Sequence, residues 1–121
     1  MDAATAHKRE LGRWGELVAL GFLLKHRFDV IARNYRTYYG EIDLVAYEGD
    51  VLVFVEVKTR TSGQVAAPQE AVDHHKQRQI RNLARQFVRH YGLGHIAIRF
   101  DVIAVIASDP PRVELIRAFF V

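Results

Sequence analysis

Residues 40 to 60, GEIDLVAYEGDVLVFVEVKTR, constrain the fold more than any other part of this 121-residue chain. Two runs rich in β-branched and large apolar residues, 42 to 47 and 51 to 57, alternate in the way that strands do. The Gly49-Asp50 pair between them fits a two-residue hairpin turn with glycine in the first position. The segment therefore predicts an antiparallel β-hairpin within a buried sheet.

Four charged residues interrupt this apolar hairpin, namely Glu41, Asp43, Glu56 and Lys58. The turn predicts a register in which Asp43 lies opposite Glu56 and Glu41 lies opposite Lys58. Because side chains alternate between the two faces of a strand, all four charges should share one face, near one end of the hairpin. The opposite face is predicted to be core and consists of Ile42, Leu44, Ala46, Val53, Val55 and Val57.

Buried charges are costly unless they pair with each other or bind a metal. Two carboxylates about 5 Å apart across a hairpin repel each other, and a hard divalent cation such as Mg²⁺ relieves that repulsion through oxygen ligands. Lys58 would then lie beside the metal, where it can stabilise a phosphorane-like transition state or orient and deprotonate an attacking water. Ordinary ion pairs on a solvated sheet edge, without a bound metal, are the alternative.

The string Asp43…Glu56-Val57-Lys58 resembles the D…(D/E)-x-K signature of the restriction-endonuclease-like nuclease superfamily. The longer string GEIDLVA…LVFVEVKTR is similar to the YraN-like family of small bacterial proteins. Further matching positions extend the similarity over nearly the whole chain: Gly12, Gly15, Glu16, Asn34-Tyr35-Arg36, Ala71-Val72, Lys76 and Arg99-Phe100-Asp101-Val102.

This resemblance implies a mixed sheet flanked by helices, with Asp43 and Glu56 as ligands of Mg²⁺ or Mn²⁺ and Lys58 as the catalytic lysine. In Holliday-junction-resolvase-like enzymes of the superfamily, a glutamate of an N-terminal helix completes the metal site. Glu16 is the matching residue here, and it is accordingly expected to act as a metal ligand in catalysis. Glu41, which the signature does not include, is predicted to lie next to these ligands.

Some features leave alternatives open. Ile42 replaces the proline that often precedes the aspartate, and no Gln-x-x-x-Tyr element follows the lysine, so the substrate and the mode of cleavage are not specified. For Glu16, an ordinary helix ion pair with Arg9 or Arg13 is the alternative to a role at the metal.

Residues 3 to 26 are predicted to form an N-terminal helix, because apolar side chains recur at helical spacing. Its expected buried stripe is Leu11, Trp14, Val18 and Phe22. Glycine weakens a helix, so Gly12, Gly15 and Gly21 indicate close packing of this helix against the sheet.

Residues 69 to 91 are predicted to form a second, amphipathic helix. Its core-facing residues are expected to be Val72, Ile80, Leu83, Ala84, Phe87, Val88 and Tyr91. Its remaining faces carry Lys76, Arg78, Arg81, Arg85 and Arg89, together with His74, His75 and His90. A basic face can bind nucleic-acid phosphates without reading sequence, or be an ordinary solvated helix face. Nucleic-acid contacts are predicted for Arg36, Arg60, Lys76, Arg78, Arg81 and Arg85.

The residues that precede the hairpin include Tyr35, Arg36, Tyr38 and Tyr39, in a loop or an opening strand. The three tyrosines are predicted mainly as packing residues, since half-buried strand aromatics are common. Arg36 is predicted to contact a phosphate. Residues 59 to 67 are polar and contain glycine, so they are expected to form a mobile loop after the catalytic strand.

Beyond the basic helix, residues 96 to 107 and 113 to 120 alternate as strands and are predicted to form a C-terminal hairpin through a Ser-Asp-Pro-Pro turn. Arg99 and Asp101 share a face of the first strand, and a structural ion pair is as good an interpretation as a catalytic role. The apolar terminus, residues 118 to 121, either packs on a second subunit of a homodimer or completes the core.

The helix and strand patterns and the resemblance together predict a single α/β domain of restriction-endonuclease-like fold spanning residues 1 to 121, with the element order α-β-β-β-α-β-β. The composition, 50% hydrophobic and 26% charged, is that of an ordinary globular protein. The chain has no cysteine, no apolar run of transmembrane length and no signal-peptide core. We therefore expect a cytoplasmic protein without a membrane partner. The net charge of +3 favours a polyanion as partner where the basic residues cluster.

Taken with the resemblance, these features predict a Mg²⁺- or Mn²⁺-dependent nuclease that hydrolyses phosphodiester bonds in DNA, including branched DNA or intermediates of repair and recombination. The alternative is a non-catalytic nucleic-acid-binding or adaptor protein that retains the nuclease fold.

Overall fold

The computed structural model describes residues 2 to 61 and 72 to 121. Its elements are α1 (Ala3–Lys25), β1 (Asp29–Thr37), β2 (Gly40–Glu48), β3 (Val51–Thr61), α2 (His74–His90), β4 (Ile98–Ala107) and β5 (Arg112–Phe120). The predicted α/β class and the element order α-β-β-β-α-β-β are confirmed. Among the described residues, neither helix is both long and apolar enough to cross a membrane.

The five strands lie in chain order in one mixed sheet. β3 and β4 are parallel, whereas the other neighbouring pairs are antiparallel. A parallel pair needs a crossover connection, and α2 is part of the one between β3 and β4. α1 packs on one face of the sheet and α2 on the other, so both faces are covered.

The β2–β3 hairpin has the predicted register over most of its length. Gly49 has a φ of +59°, which suits the first position of the tight turn, and the ladder runs from Glu48 opposite Val51 to Leu44 opposite Val55. There the ladder ends, so the predicted pairings further along, of Asp43 with Glu56 and of Glu41 with Lys58, are not part of it.

Beyond the ladder, β2 and β3 separate into what we call the fork. The backbone N–H of Val57 donates to Asp43 Oδ2 at 2.8 Å, so a side chain replaces the backbone acceptor. Glu41 lies opposite Arg36 of β1 instead of Lys58.

The prediction that all four charges share one face is wrong. Leu44 packs on the α1 side of the sheet, yet Ile42, two residues earlier, packs on the α2 side. Side-chain alternation is therefore interrupted at the fork, next to Asn34 of β1, which has a φ of +52°. Ile42 consequently belongs to the core under α2, although it was predicted to share a face with Leu44. The other residues of the predicted apolar face pack on the α1 side: Leu44, Ala46, Val53, Val55 and Val57.

α1 begins after Asp2, whose side chain accepts a hydrogen bond from Thr5 N at 2.8 Å. Its most buried line is Gly15, Ala19 and Leu23, flanked by the predicted residues Trp14, Val18 and Phe22. A Cβ on Gly15 would lie 1.8 Å from Thr59 Oγ1, so this glycine permits close packing against β3, as predicted. A Cβ on Gly12 or on Gly21 would meet nothing within 4 Å, so the same prediction is wrong there.

α2 begins at His74, because Asp73 caps it by accepting from Lys76 N at 2.8 Å. Of the predicted start, residues 69 to 71 lie outside the described residues, and Val72 is buried but precedes the helix. The buried side chains of α2 are Ile80, Leu83, Ala84 and Phe87. Tyr91 is 55% exposed and was wrongly assigned to the core. Of the predicted mobile loop, residues 59 to 61 belong to β3 and residues 62 to 67 lie outside the described residues.

The C-terminal hairpin completes the core of the chain itself. Phe120 is buried and stacks on Phe100, with ring centroids 4.7 Å apart. On the opposite face, Arg99 donates to both oxygens of the buried Asp101 at 2.9 Å and to Glu48 at 2.6 Å. Arg99 and Asp101 therefore form a structural ion pair, one of the two interpretations that the sequence left open.

Candidate functional site

The candidate site is centred on the fork, where Asp43 lies between two groups of charges. Its hydrogen bond from Val57 N fixes the carboxylate at the point where the strands part. Asp43 interacts with Glu16 of α1 on one side and with Glu56 of β3 on the other. The interruption of the ladder thus brings together residues from both faces of the sheet.

Three carboxylates meet on the α1 side of the fork, and we call them the carboxylate cluster: Glu16, Glu41 and Asp43. Oxygens of the three lie within 4.8 Å of one another. Asn34 holds two of them, because in the amide orientation that its neighbours select its nitrogen donates to Glu16 at 3.1 Å and to Glu41 at 2.8 Å. Arg36 also contacts the cluster, with its Nη2 3.2 Å from Glu41 Oε2.

The surroundings of Glu16 favour the protonated form of its carboxyl group. Burial raises the pKa of Glu16 to about 7, the charges of Asp43 and Glu41 and a hydrogen bond with Asp43 add to the shift, and Arg33 opposes it. Among the ion pairs of the described residues, none joins Glu16 to Arg9 or Arg13. The helix ion pair that was the alternative for Glu16 is therefore not formed.

Glu56 lies on the α2 side of Asp43 and is only 7% exposed. Its Oε1 is 3.8 Å from Lys76 Nζ of α2, whereas its buried Oε2 has no hydrogen-bond partner among the described residues. Burial raises the pKa of Glu56 to about 8, the neighbouring Asp43 carboxylate adds to the shift, and Lys76 and Lys58 oppose it. A buried carboxylate oxygen without a partner is costly unless a water molecule or a ligand satisfies it.

This set of donors fits a hard divalent cation. The four acidic side chains at the fork, Glu16, Glu41, Asp43 and Glu56, offer carboxylate oxygen, the ligand type that Mg²⁺ and Mn²⁺ prefer. Burial, together with repulsion between the carboxylates, raises the pKa values of Glu16 and Glu56, and a bound cation would offset both effects. Two of the predicted ligands, Glu16 and Asp43, lie in the carboxylate cluster with Glu41. The third, Glu56, lies on the α2 side of Asp43 and outside the cluster.

A cleft of about 1110 Å³ runs along the N-terminal half of α1 and the end of β3. The residues predicted to be catalytic all line it: Glu16, Asp43, Glu56 and Lys58. Lys58 is half-buried, and the predicted phosphate contact Arg60 also lines the cleft. An extended phosphodiester could therefore meet the carboxylates and the lysine in one channel.

A second, smaller cleft of about 520 Å³ lies against the carboxylate cluster and is lined by Arg9, Arg13 and Arg36. Glu16 borders both clefts. Arg9 and Arg13 were not predicted as site residues. Arg9 and Arg13 are four residues apart, and Arg13 and Glu16 are three residues apart. This spacing was a signal in the sequence, since it places all three on one helix face.

Asn34 is the other residue of the site that sequence reasoning did not assign. Its side chain contacts both Glu16 and Glu41, and its φ of +52° lies in the left-handed region, which asparagine tolerates better than most residues. An asparagine inside an otherwise regular strand was the available signal, because asparagine adopts the left-handed conformation more readily than most residues.

The basic residues predicted on α2 occupy three different environments. Arg78 and Arg85 lie on the exposed side of the helix, as expected. Lys76 points to Glu56, at the fork. Arg81 packs over the Phe120 ring at 5.6 Å, and its Nη1 is buried, so it lies apart from the exposed basic side.

The three tyrosines that precede the β2–β3 hairpin differ in their exposure. Tyr35 is half-buried and contacts the Phe87 ring edge-on at 5.0 Å, which confirms its predicted packing role. Tyr38 is 96% exposed and Tyr39 is 64% exposed, so the same prediction is wrong for this pair.

The fold and the site define an α/β protein with a carboxylate cluster at a fork in its sheet and a lysine in the adjoining cleft. The chain belongs to the uncharacterised protein family UPF0102, whose family model matches residues 15 to 105. This is the YraN-like family that the sequence resembles. The matched segment contains every residue of the carboxylate cluster as well as Glu56 and Lys58.

Bacterial relatives match nearly the whole chain. A UPF0102 protein of Rhodococcus jostii is 45% identical over 117 residues, which cover 95% of this chain and 99% of the relative. A UPF0102 protein of Geobacter metallireducens is 44% identical over 115 residues, or 94% of each chain. A UPF0102 protein of Desulforapulum autotrophicum is 46% identical over 114 residues, which cover 93% of this chain and 94% of the relative.

Proposed function

We propose that this protein is a Mg²⁺- or Mn²⁺-dependent nuclease of restriction-endonuclease-like fold that hydrolyses phosphodiester bonds in DNA. The observation that carries the proposal is the buried Oε2 of Glu56, which has no hydrogen-bond partner in the described part of the chain and lies beside Asp43 of the carboxylate cluster. Acidic clusters alone are common on protein surfaces. A buried carboxylate oxygen that lacks any partner, in a cleft with a lysine, is characteristic of a site that takes a cation and an anionic substrate.

The residues that would hold the cation are Asp43, Glu56 and Glu16, with Glu41 as a further oxygen donor. When bound, a divalent cation acts as a Lewis acid on a phosphate oxygen and lowers the pKa of water. The chain itself supplies the other functions. Lys58 places a positive charge where negative charge develops on the phosphate oxygens, and such placement is commonly the largest catalytic effect.

Glu16 and the basic residues complete the proposed mechanism. Glu16, whose carboxylate oxygen lies within 4.8 Å of oxygens of Asp43 and Glu41, would help to hold the cation or position the attacking water. Arg60 in the main cleft and Arg36 in the smaller one would hold the phosphates on either side of the scissile bond. Both contact the substrate backbone, so they bind DNA without selecting a sequence. A cytoplasmic location and a homodimer stay predictions.

The proposal is tested by cleavage assays on labelled linear, single-stranded, flapped and four-way DNA with Mn²⁺ or Mg²⁺. We expect cleavage of at least one substrate, its loss on addition of a chelator, and at least a hundredfold lower rate for Lys58→Ala with DNA binding retained. Lys25→Ala is the matched control, because Lys25 lies in the last turn of α1 and does not line the cleft.

Three results would contradict the proposal. Equal activity of the wild type and Lys58→Ala would mean that the cleavage comes from a contaminant. Binding without any cleavage of the panel would favour the non-catalytic nucleic-acid-binding or adaptor protein. Absence of both Mn²⁺ and DNA binding would leave only a network of ion pairs.

A further inference from the structure

The turn between β1 and β2 presents two tyrosines to solvent. Tyr38 is 96% exposed and Tyr39 is 64% exposed, and their rings meet edge-on with centroids 5.4 Å apart. Hairpin turns ordinarily use small polar residues, since these adopt the turn conformation and remain solvated. Two adjacent exposed aromatic rings are therefore not explained by the turn itself and indicate a surface that receives a flat apolar partner.

The tyrosine turn is fixed to α2. Gln79 donates from its side chain to the Tyr39 carbonyl at 2.5 Å, and Tyr39 N donates to Thr37 Oγ1 at 3.1 Å. The next residue, Gly40, has a φ of +146°, and a Cβ there would lie 2.6 Å from Gln79 Nε2. The turn thus packs directly on the helix, and the position of Tyr39 beside the exposed side of α2 is fixed.

Tyr39 and α2 together line a groove of about 520 Å³, which we call the tyrosine–arginine groove. Its basic wall consists of Arg78, Arg85 and Arg89. Residues 74 to 90 contain no aspartate or glutamate, and no ion pair within the described part of the chain involves these three arginines. Arg85 is oriented by a hydrogen bond to Asn82 Oδ1 at 2.8 Å. The groove is therefore strongly positive, with aromatic rings at one edge.

We propose that the tyrosine–arginine groove binds single-stranded DNA, with unpaired bases stacked on Tyr38 and Tyr39 and phosphates held by the arginines. This inference rests on the proposed function, because it names the form of DNA that reaches the cleft. Aromatic platforms combined with a basic groove are the usual way to bind unpaired strands. A duplex hides its base faces within the stack, so it would engage the arginines but not the tyrosines.

The chain connects this groove directly to the carboxylate cluster. Glu41 follows Tyr39 by only two residues on the same polypeptide, and Gly40 between them is packed against α2. A strand held on the tyrosines is thereby kept close to the fork. The groove consequently favours substrates in which an unpaired segment adjoins the bond to be cut.

The test is the fluorescence anisotropy of labelled oligo(dT), a mixed-sequence single strand and the corresponding duplex, in a chelator so that nothing is cleaved. We expect the wild type to bind the single strand at least about tenfold more tightly than the duplex. Tyr38→Ala/Tyr39→Ala should weaken single-strand binding by about tenfold or more and leave duplex binding within twofold. Tyr38→Phe/Tyr39→Phe is the matched control, because it keeps both rings, and it should bind like the wild type.

Salt dependence separates stacking from phosphate contact. The slope of log affinity against log salt should be unchanged in the tyrosine-to-alanine variant and should fall by about 0.7 in Arg78→Gln. Arg112→Gln, which removes an exposed positive charge at the start of β5, should leave the slope unchanged. Equal affinity for single strand and duplex, or full binding by the tyrosine-to-alanine variant, would overturn the proposal. Binding of oligo(U) about tenfold more tightly than oligo(dT) would overturn the assignment to DNA.

These outcomes are separable from the failure of the proposed hydrolysis. If the groove binds single strands as described but no substrate is cleaved with Mn²⁺, the inference holds and the nuclease function fails. If cleavage depends on Lys58 but the tyrosine variants bind and cut single-stranded and duplex DNA like the wild type, the nuclease function holds and the inference fails.

Discussion

Val57 donates its backbone N–H to Asp43 Oδ2 at 2.8 Å, and this bond marks the point where β2 and β3 stop pairing. A carboxylate that serves as a structural acceptor cannot turn away from the fork without leaving a partly buried donor unpaired. Asp43 is therefore held in place before any ligand arrives. Such pre-organisation lowers the cost of binding a cation or a substrate.

Asp43 accepts a hydrogen bond from Val57 and is also a proposed metal ligand, so Asp43→Asn and Asp43→Ala should differ in stability. Asp43→Asn keeps an oxygen for Val57 N and should change the free energy of unfolding by less than about 1 kcal/mol, whereas Asp43→Ala strands that donor and should cost about 1–3 kcal/mol. Both should weaken Mn²⁺ binding at least tenfold, measured by calorimetry. Asp50→Asn, in the exposed turn, is the matched control. If Asp43→Asn bound Mn²⁺ as tightly as the wild type, Asp43 would not be a metal ligand.

Glu56 gives the protein a stability that depends on pH. Its pKa of about 8 in the folded state lies above the ordinary 4.5, so the folded protein binds more protons and its free energy of unfolding should fall as pH rises from about 4.5 to about 8. Glu56→Gln removes this loss and should be more stable than the wild type at pH 8 by about 1–3 kcal/mol. Urea unfolding in a chelator, at pH 5 and pH 8, measures the difference.

The exposed Glu114→Gln serves as the control for Glu56→Gln and should follow the wild type at both pH values. Added Mn²⁺ should restore the stability of the wild type at pH 8 and have little effect on Glu56→Gln. A wild type whose stability does not change between pH 5 and pH 8 would contradict the burial of an ionisable Glu56.

Gly15 sets the distance between α1 and β3. A methyl group there would lie 1.8 Å from Thr59 Oγ1, so Gly15→Ala should destabilise the protein by about 1–3 kcal/mol and displace the neighbouring Glu16. In Gly12→Ala the methyl group meets nothing within 4 Å, and the better helix propensity of alanine should stabilise the protein by up to about 1 kcal/mol. Thermal unfolding measures the stability of both variants. Equal changes in stability for Gly15→Ala and Gly12→Ala would refute the prediction.

The ion pairs of Glu48 predict sensitivity to acid. Hydrogen bonds from Arg117 and Arg99 hold the pKa of Glu48 at about 2, so its contribution to stability is complete above about pH 4.5 and is lost as pH falls towards 2. Glu48→Gln should cost about 1–3 kcal/mol at pH 7, and the gap to the wild type should narrow by pH 3. Urea unfolding at pH 7 and pH 3 measures this difference in the free energy of unfolding, with the exposed Glu10→Gln as control. A gap of constant size would show that Glu48 acts by packing.

The sequence by itself determined the features that depend on local pattern. The Gly49-Asp50 turn and the alternation of apolar residues fix the hairpin register from Glu48 opposite Val51 to Leu44 opposite Val55, because turn geometry and a buried face allow only one pairing. The order of helices and strands follows from the same periodicities. Which residues carry the charges of the site is also written in the sequence, since Glu16, Asp43, Glu56 and Lys58 all line one cleft.

The tertiary structure alone decided how those charges are arranged. Alternation predicts faces only while a ladder stays regular, and the ladder ends before Asp43, so Glu41 joins Glu16 on the α1 side while Glu56 faces Lys76 of α2. Exposure likewise depends on what covers a residue. Tyr38 and Tyr39 lie exposed in a turn, whereas Arg81 lies over the ring of Phe120, some forty residues away in the chain. No local pattern contains these facts, because each depends on contacts between segments that only the folded chain brings together.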